Sequence, residues 1–233
     1  AVKTGIKKVY RLETKEGYEL RLTKDHKVMT NKGWKEVGDL VEGDKVFISN
    51  SKGGFGKAGS QDLGQVLGWL VGDGTMKATE AVLSFFGAEK MQLAPRFAVM
   101  VNDLTQGMQM INRNYNVGVG WIDERDEARV GSTRLWRLVS GYGITPKNKL
   151  LVPEVVFTGN EDMQRGFLQA LFTADGHVSG DPDKGVSIRL TSVSYKMLQD
   201  VQRLLLNFGI ASKIYCNRRN DEFRLMPDGK GGK

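Results

Sequence analysis

The run Val66-Leu67-Gly68-Trp69-Leu70-Val71-Gly72-Asp73-Gly74 decides how this chain is read, because a similar run returns as Leu168-Gln169-Ala170-Leu171-Phe172-Thr173-Ala174-Asp175-Gly176. Each run is almost free of charge, ends in one aspartate and places a glycine directly after it. The lengths predict helices of two to three turns, each with a polar N-cap before it and a left-handed glycine C-cap after it. Asp62 with Gln65 makes a capping box for the first helix, and Asn160 or Asp162 is placed to cap the second. Helices that are apolar nearly all round are buried helices, and Gly68 and Ala170 fall at matching places where two backbones could approach closely. If the helices pack on each other, Asp73 and Asp175 meet.

A carboxylate in the last helical turn faces unsatisfied carbonyls and the negative end of the helix dipole, which is unfavourable by roughly 0.3 to 1 kcal/mol. A bound metal ion reverses the sign. One such run alone reads most simply as a core helix followed by an ordinary Asp-Gly turn. Here the likeness continues downstream: Val82 to Val101 and Ile188 to Asn207 each read as an alternating strand that passes through Lys-Met (Lys90-Met91, Lys196-Met197) into an amphipathic helix. A duplication of this length implies two similar halves, since solenoid repeats recur every 20 to 50 residues or so.

The 233 residues suffice for one or two domains with a sizeable core. No run approaches the roughly 18 apolar residues of a membrane span, and no signal-peptide pattern opens the chain. Cys216 is the single cysteine, so no internal disulfide is possible, and with only His26 and His177 there is no Cys/His zinc cluster to propose. These features predict an intracellular protein, cytoplasmic or nucleoid-associated, neither secreted nor membrane-bound.

A net charge of +7 favours a polyanionic partner. Arg113, Arg125, Arg129, Arg134 and Arg137 lie in a polar, aromatic-punctuated stretch, 112–138, that reads as strands with one wet face, and Arg189 stands in the strand of the second copy. The plain reading is a solvated sheet surface. Beside a metal-ready carboxylate pair, such strands make better sense as readers of double-stranded DNA, because guanidinium forks match both phosphate oxygens and the guanine edge.

Four segments follow. Residues 1–50 read as an all-β piece with strands near Val9–Leu12, Tyr18–Leu22, Lys27–Thr30 and Val46–Ser49, and residues 51–59 as a Gly/Ser-rich flexible linker. The first repeat then occupies 60–155 and the second 156–233, with a Gly/Lys-rich, frayed tail from Pro227.

With its paired runs, the chain resembles a LAGLIDADG homing endonuclease of the intein-encoded type. Thr23-Lys24-Asp25-His26, followed by Gly43-Asp44, resembles the N-terminal part of the Hint splicing fold. The resemblance implies an α+β fold: a pseudo-twofold αββαββα core, duplicated, with the motif helices central and two saddle-like antiparallel sheets in the DNA major groove, beside a small N-terminal all-β segment. It implies a monomer with internal pseudo-twofold symmetry that hydrolyses phosphodiesters at a long site, with Mg²⁺ or another divalent ion such as Mn²⁺ as cofactor. Asp73 and Asp175 match the metal-binding carboxylates, and the carbonyls of Gly72 and Ala174 are expected to add ligands. Basic helpers are expected as well: Lys149 with Lys147 as the alternative, and Lys213 as the counterpart in the second half. Thr23 and His26 match residues that assist the first acyl shift of splicing. The chain opens at Ala1 and ends without a His-Asn pair, so splicing by this chain alone is not expected. The alternatives are a catalytically silent DNA- or RNA-binding relative, such as a maturase or regulator, and a fragment of a splicing intein.

Overall fold

The computed structural model describes residues 5–51, 53–108, 115–181, 183 and 185–216. The chain divides into two compact units, residues 1–48 with 212–233 and residues 49–211. Its class is the expected one, α+β with antiparallel sheets and an all-β N-terminal segment.

In the first unit, β1 (Val9–Glu13) pairs antiparallel with β2 (Glu19–Thr23), and β3 (Lys27–Thr30) with β4 (Gly33–Glu36). The Asn31-Lys32-Gly33 turn returns the chain directly into β4, a strand the charged sequence Trp34-Lys35-Glu36 does not advertise. The strand expected at Val46–Ser49 reduces to one bridge between Val46 and Thr30. Thr23-Lys24-Asp25-His26 forms the tight turn between β2 and β3, where the His26 amide donates to the Thr23 carbonyl at 3.1 Å. The Lys7 ammonium and the Thr23 hydroxyl both donate to the Asp25 carboxylate and pull its pKa down to about 2. Residues 212–214 join this unit: the Ser212 amide donates to the Tyr18 hydroxyl (3.1 Å) and the Ile214 amide to the Glu16 carbonyl (3.0 Å).

The second unit runs α1 (Gln61–Val71), β5 (Gly74–Met76), β6 (Ala81–Phe86), α2 (Lys90–Leu104), β7 (Gly120–Ile122), β8 (Glu127–Ser132) and α3 (Thr133–Gly141), an αββαββα order. After the short α4 (Glu154–Phe157), the order begins again with α5 (Glu161–Asp175), β9 (Gly176–Asp181), β10 (Gly185–Leu190) and α6 (Tyr195–Asn207). The first copy's antiparallel sheet has strand order β5-β6-β8-β7. The β9–β10 hairpin repeats the register of β5–β6, since Gly176 faces Leu190 as Gly74 faces Leu83.

Alternation fixes which sheet face is inward. Ala81, Leu83 and Phe85 of β6 and Ala128 and Val130 of β8 are buried in the core. Trp69 of α1 lies on them, its ring 4.6 Å from that of Phe85 and 5.0 Å from that of Phe97, while its indole N–H donates to the Ser84 carbonyl at 2.9 Å. That bond removes the cost of burying the one polar atom on a large apolar ring.

Several local expectations change. Ser60, not Asp62, caps α1 by accepting from the Leu63 amide, and Gln65 turns instead toward Gln169 of α5. Asn160 caps α5. Neither helix ends in a left-handed glycine: Gly72 has φ −70° and Gly176 is extended. The glycines after the aspartates serve close approach, because a Cβ at Gly74 would stand 2.5 Å from the Leu70 carbonyl oxygen and one at Gly176 2.4 Å from that of Phe172. Residues 133–141 are a helix, not strand, because Ser132 caps them and Leu135, Leu138 and Val139 recur at helical spacing on the buried side. Gly53, Gly56 and Gly59 lie against the rest of the unit, with the Gly53 amide donating to the Asn207 carbonyl at 3.0 Å and the Gly56 amide to the Gly159 carbonyl at 2.9 Å.

Candidate active site

The pair α1 and α5 builds this site from small residues. On α1 and its C-cap, Gly64, Gly68 and Gly72 recur every fourth residue; on α5, Gly166, Ala170 and Ala174 do the same. That period keeps all three on one side of a helix. A Cβ at Gly64 would lie 2.1 Å from the Met163 carbonyl oxygen, one at Gly68 2.3 Å from that of Phe167, and one at Gly166 2.2 Å from that of Gln61. The backbones therefore touch directly. The contacts advance along both helices in the same sense, so the helices are parallel and their C-terminal ends arrive together. Sequence reading found Gly68 and Ala170; the same four-residue spacing identifies the other rungs.

At that end a Cβ on Gly72 would be 2.7 Å from the Ala174 Cβ and 3.5 Å from Oδ2 of Asp175. Asp175 is the last residue of α5, whereas Asp73 lies two residues beyond α1. Both carboxyls are half-buried. Burial raises the pKa of Asp73, the Asp175 charge raises it further, and Lys149 opposes. Burial likewise raises Asp175, again opposed by Lys149. Lys149 is itself lowered by burial, against the pull of Asp175 and Asp73. Its ammonium donates to the Gly72 carbonyl at 2.9 Å, so a cation already engages one of the helix-end oxygens.

Asn148, which the sequence did not single out, holds the Lys149 loop. Its side chain accepts from the Thr145 amide (2.6 Å) and donates to the Gly143 carbonyl (2.9 Å). Lys147 is exposed. Lys213 belongs to the first unit, where its ammonium lies 4.9 Å from the Tyr215 ring centre. Thr23 and His26 also stand in that unit, His26 exposed. Among the described residues, no three His, Cys, Asp or Glu gather to hold a metal. Two carboxylates with the carbonyls of Gly72 and Ala174 are nonetheless an all-oxygen set, which suits Mg²⁺ or Mn²⁺ and not a soft-ligand metal.

The arginines separate. Arg129 (β8), Arg125 and Arg189 (β10) face solvent at least in part, and Arg137 is half-buried on α3. Arg134 is not on a wet face: it is only 5% exposed, and its fork donates to the carbonyls of Tyr115 (2.5 Å) and Thr105 (2.8 Å). It ties the chain after α2 to α3, because the helix turns this side of residues 133–141 inward. Arg113 lies outside the described residues.

No helix among the described residues is long and apolar enough to cross a membrane. In sequence, the chain is 31% identical over 96% of its length to the NrdEB alpha chain of ribonucleoside-diphosphate reductase from Bacillus subtilis (strain 168), covering 22% of that protein. It is 26% identical over 94% of its length to a DNA gyrase chain of Mycobacterium leprae, covering 18%, and 28% identical over 96% to the replicative DNA helicase DnaB of Rhodothermus marinus, covering 24%. The chain thus spans about a fifth of the length of the relatives it matches. Among solved structures, I-DmoI in complex with DNA and Mn is similar at 17% identity and a TM-score of 0.45, over 67% of this chain and 82% of that one. Residues 162–227, which begin on α5 and carry Asp175, match the sequence model of the family described as LAGLIDADG-like domain.

Proposed function

We propose that this chain is a metal-dependent, site-specific endonuclease for double-stranded DNA, carried as an insert within a longer protein. The observation that carries the reading is the convergence of Asp73, Asp175 and Lys149 at the joined ends of α1 and α5. The insert reading draws support from the relatives. The relatives are named as a reductase, a gyrase and a helicase, three different proteins, yet each matches nearly all of this chain over about a fifth of its own length.

Asp73 and Asp175, with the carbonyls of Gly72 and Ala174, would hold the divalent ions. Bound there, such ions neutralise charge on the scissile phosphate and acidify water at neutral pH. The protein's own residues do the remainder. The glycine and alanine rungs fix the spacing of the carboxylates, so geometry is set by backbone contact and not by flexible side chains. Lys149 offsets the negative helix ends and stands where it can polarise a water or a phosphate oxygen. Arg125, Arg129 and Arg189 supply contacts to DNA from the strands. A single chain carrying both halves needs no second copy to bring two carboxylates together.

The test is incubation with Mg²⁺ or Mn²⁺ and a randomised double-stranded library, followed by sequencing of cut ends. Recurrent ends at one long sequence support the proposal; intact DNA, or cuts without sequence preference, overturn it. On a selected site Lys149→Met is expected to slow cleavage about 30-fold, the worth of one charge-assisted hydrogen bond of ~2 kcal/mol. Single-turnover rates measure it. Because Lys149 engages Gly72 and not the strands, affinity for the site should stay within a factor of about two of the unaltered protein.

A further inference from the structure

On the outer face of the first copy's sheet, Arg129 is held by one carboxylate. Glu127 and Arg129 sit two apart on β8, so both point away from the buried Ala128 and Val130. The guanidinium donates side-on, Nε to one Glu127 oxygen at 2.6 Å and Nη2 to the other at 2.9 Å. Glu127 is only 4% exposed. Burial pushes its carboxyl up, but hydrogen bonds from Arg129 and from the Ser84 hydroxyl hold it below the ordinary glutamate range. The Arg129 side chain by contrast is 41% exposed. Its cross-strand neighbours are Ser84 on β6 and Gly120 on β7, both small.

We infer that Arg129, aimed by Glu127 and Ser84, reads a guanine in the major groove, and that Glu127 is the positioning residue for that contact. The inference rests on the DNA-binding reading given above. A guanidinium spends Nε and one Nη2 hydrogen on a side-on carboxylate, which leaves its end edge, Nη1 and the outer Nη2 hydrogen, unengaged. Two parallel donors on that edge match the O6 and N7 acceptors of guanine. A phosphate fits this place less well. The Arg129–Glu127 pair carries no net charge, and the negative field of Glu80 at the guanidinium is set against the positive field of Arg125 at the carboxylate, so no charge excess singles this place out for an anion. A base edge asks for direction more than for charge, and direction is what a buried, doubly bonded carboxylate supplies.

The whole chain, without divalent metal, is equilibrated with the randomised duplex library, and the bound DNA is sequenced for the unaltered protein and for Arg129→Ala, Arg129→Lys and Glu127→Gln. The unaltered protein should enrich guanine at one defined position. Arg129→Ala should reduce that preference roughly tenfold while leaving other positions as they were. Arg129→Lys, a point charge without a fork, should fail to restore it. Glu127→Gln should broaden preference at the same position only. The readout is a ratio between bases, so partial unfolding of a variant scales the signal without moving it. An Arg129→Ala variant that keeps the guanine preference, or loses affinity equally for every sequence as a phosphate contact would, overturns the inference. A library from which the unaltered protein enriches nothing overturns the DNA reading together with this one.

Discussion

Asp73→Asn and Asp175→Asn are each expected to abolish double-strand cleavage of a selected site while leaving its binding intact. Amide oxygens are poorer ligands for a divalent ion and carry no charge. If metal-assisted stabilisation contributes about 4 kcal/mol to one strand's hydrolysis, losing it slows that strand ~10³-fold. Supercoiled plasmid carrying the site separates the outcomes on a gel, and cleavage of both strands by the double variant at the unaltered rate would end the proposed mechanism. Both carboxyls have pKa values raised in the folded protein, chiefly by burial. The sign follows. The folded state favours their protonated forms, so ionisation reduces stability as pH rises from the ordinary 3.8 through the raised values, and the full cost is present above them. Without metal, the asparagine variants should therefore melt above the unaltered protein at pH 7, and the difference should vanish below the ordinary carboxylate range. Added Mg²⁺ should raise the melting temperature of the unaltered protein and not that of the double variant.

Gly68→Val is expected to destabilise the second unit by about 3 kcal/mol, the upper part of the range for overpacking a close contact. A Cβ there meets the Phe167 carbonyl oxygen at 2.3 Å and the Ala170 Cβ at 3.1 Å. The first neighbour is backbone and cannot swing aside. Thermal unfolding should register a fall of roughly 6 to 12 °C for a chain of this size. Intrinsic helix propensity works the other way, since glycine is the poorer helix former by a few tenths to about 1 kcal/mol. Gly141→Ala is the control, because that glycine ends α3 with nothing within 4 Å of an added Cβ. It should leave the melting temperature unchanged or slightly raised. Equal melting of Gly68→Val and the unaltered chain would mean the helices are not in backbone contact.

What the sequence disclosed depended on how many neighbours settle a residue. The motif helices were legible because Val66, Leu67, Leu70 and Leu171 have no polar company to suggest another place, and because a second copy repeats them. The strand–Lys-Met–helix order was legible from alternation giving way to a 3.6-residue period, and β6 with α2 and β10 with α6 follow it. The cap of α5 was legible as one of two candidates, and Asn160 fills it, but that of α1 was not, because Ser60 and Asp62 are both good acceptors and only the start of the helix chooses between them. Arg134 and Arg129 were indistinguishable for a related reason. Both belong to a polar stretch, but one meets two backbone carbonyls and the other a buried glutamate, and these partners lie on other elements or depend on which face of β8 is outward. The spacing of Leu135, Leu138 and Val139 did carry the signal that residues 133–141 are helical.

The centre is lopsided in a way that duplication does not require. One acid closes its helix while the other stands in the turn past its own, and Lys149 is bonded to the carbonyl on the Asp73 side. Two chemically unequal half-sites would not fire together. A circular substrate should first relax into a nicked form that persists long enough to be seen, and only then open into a linear molecule.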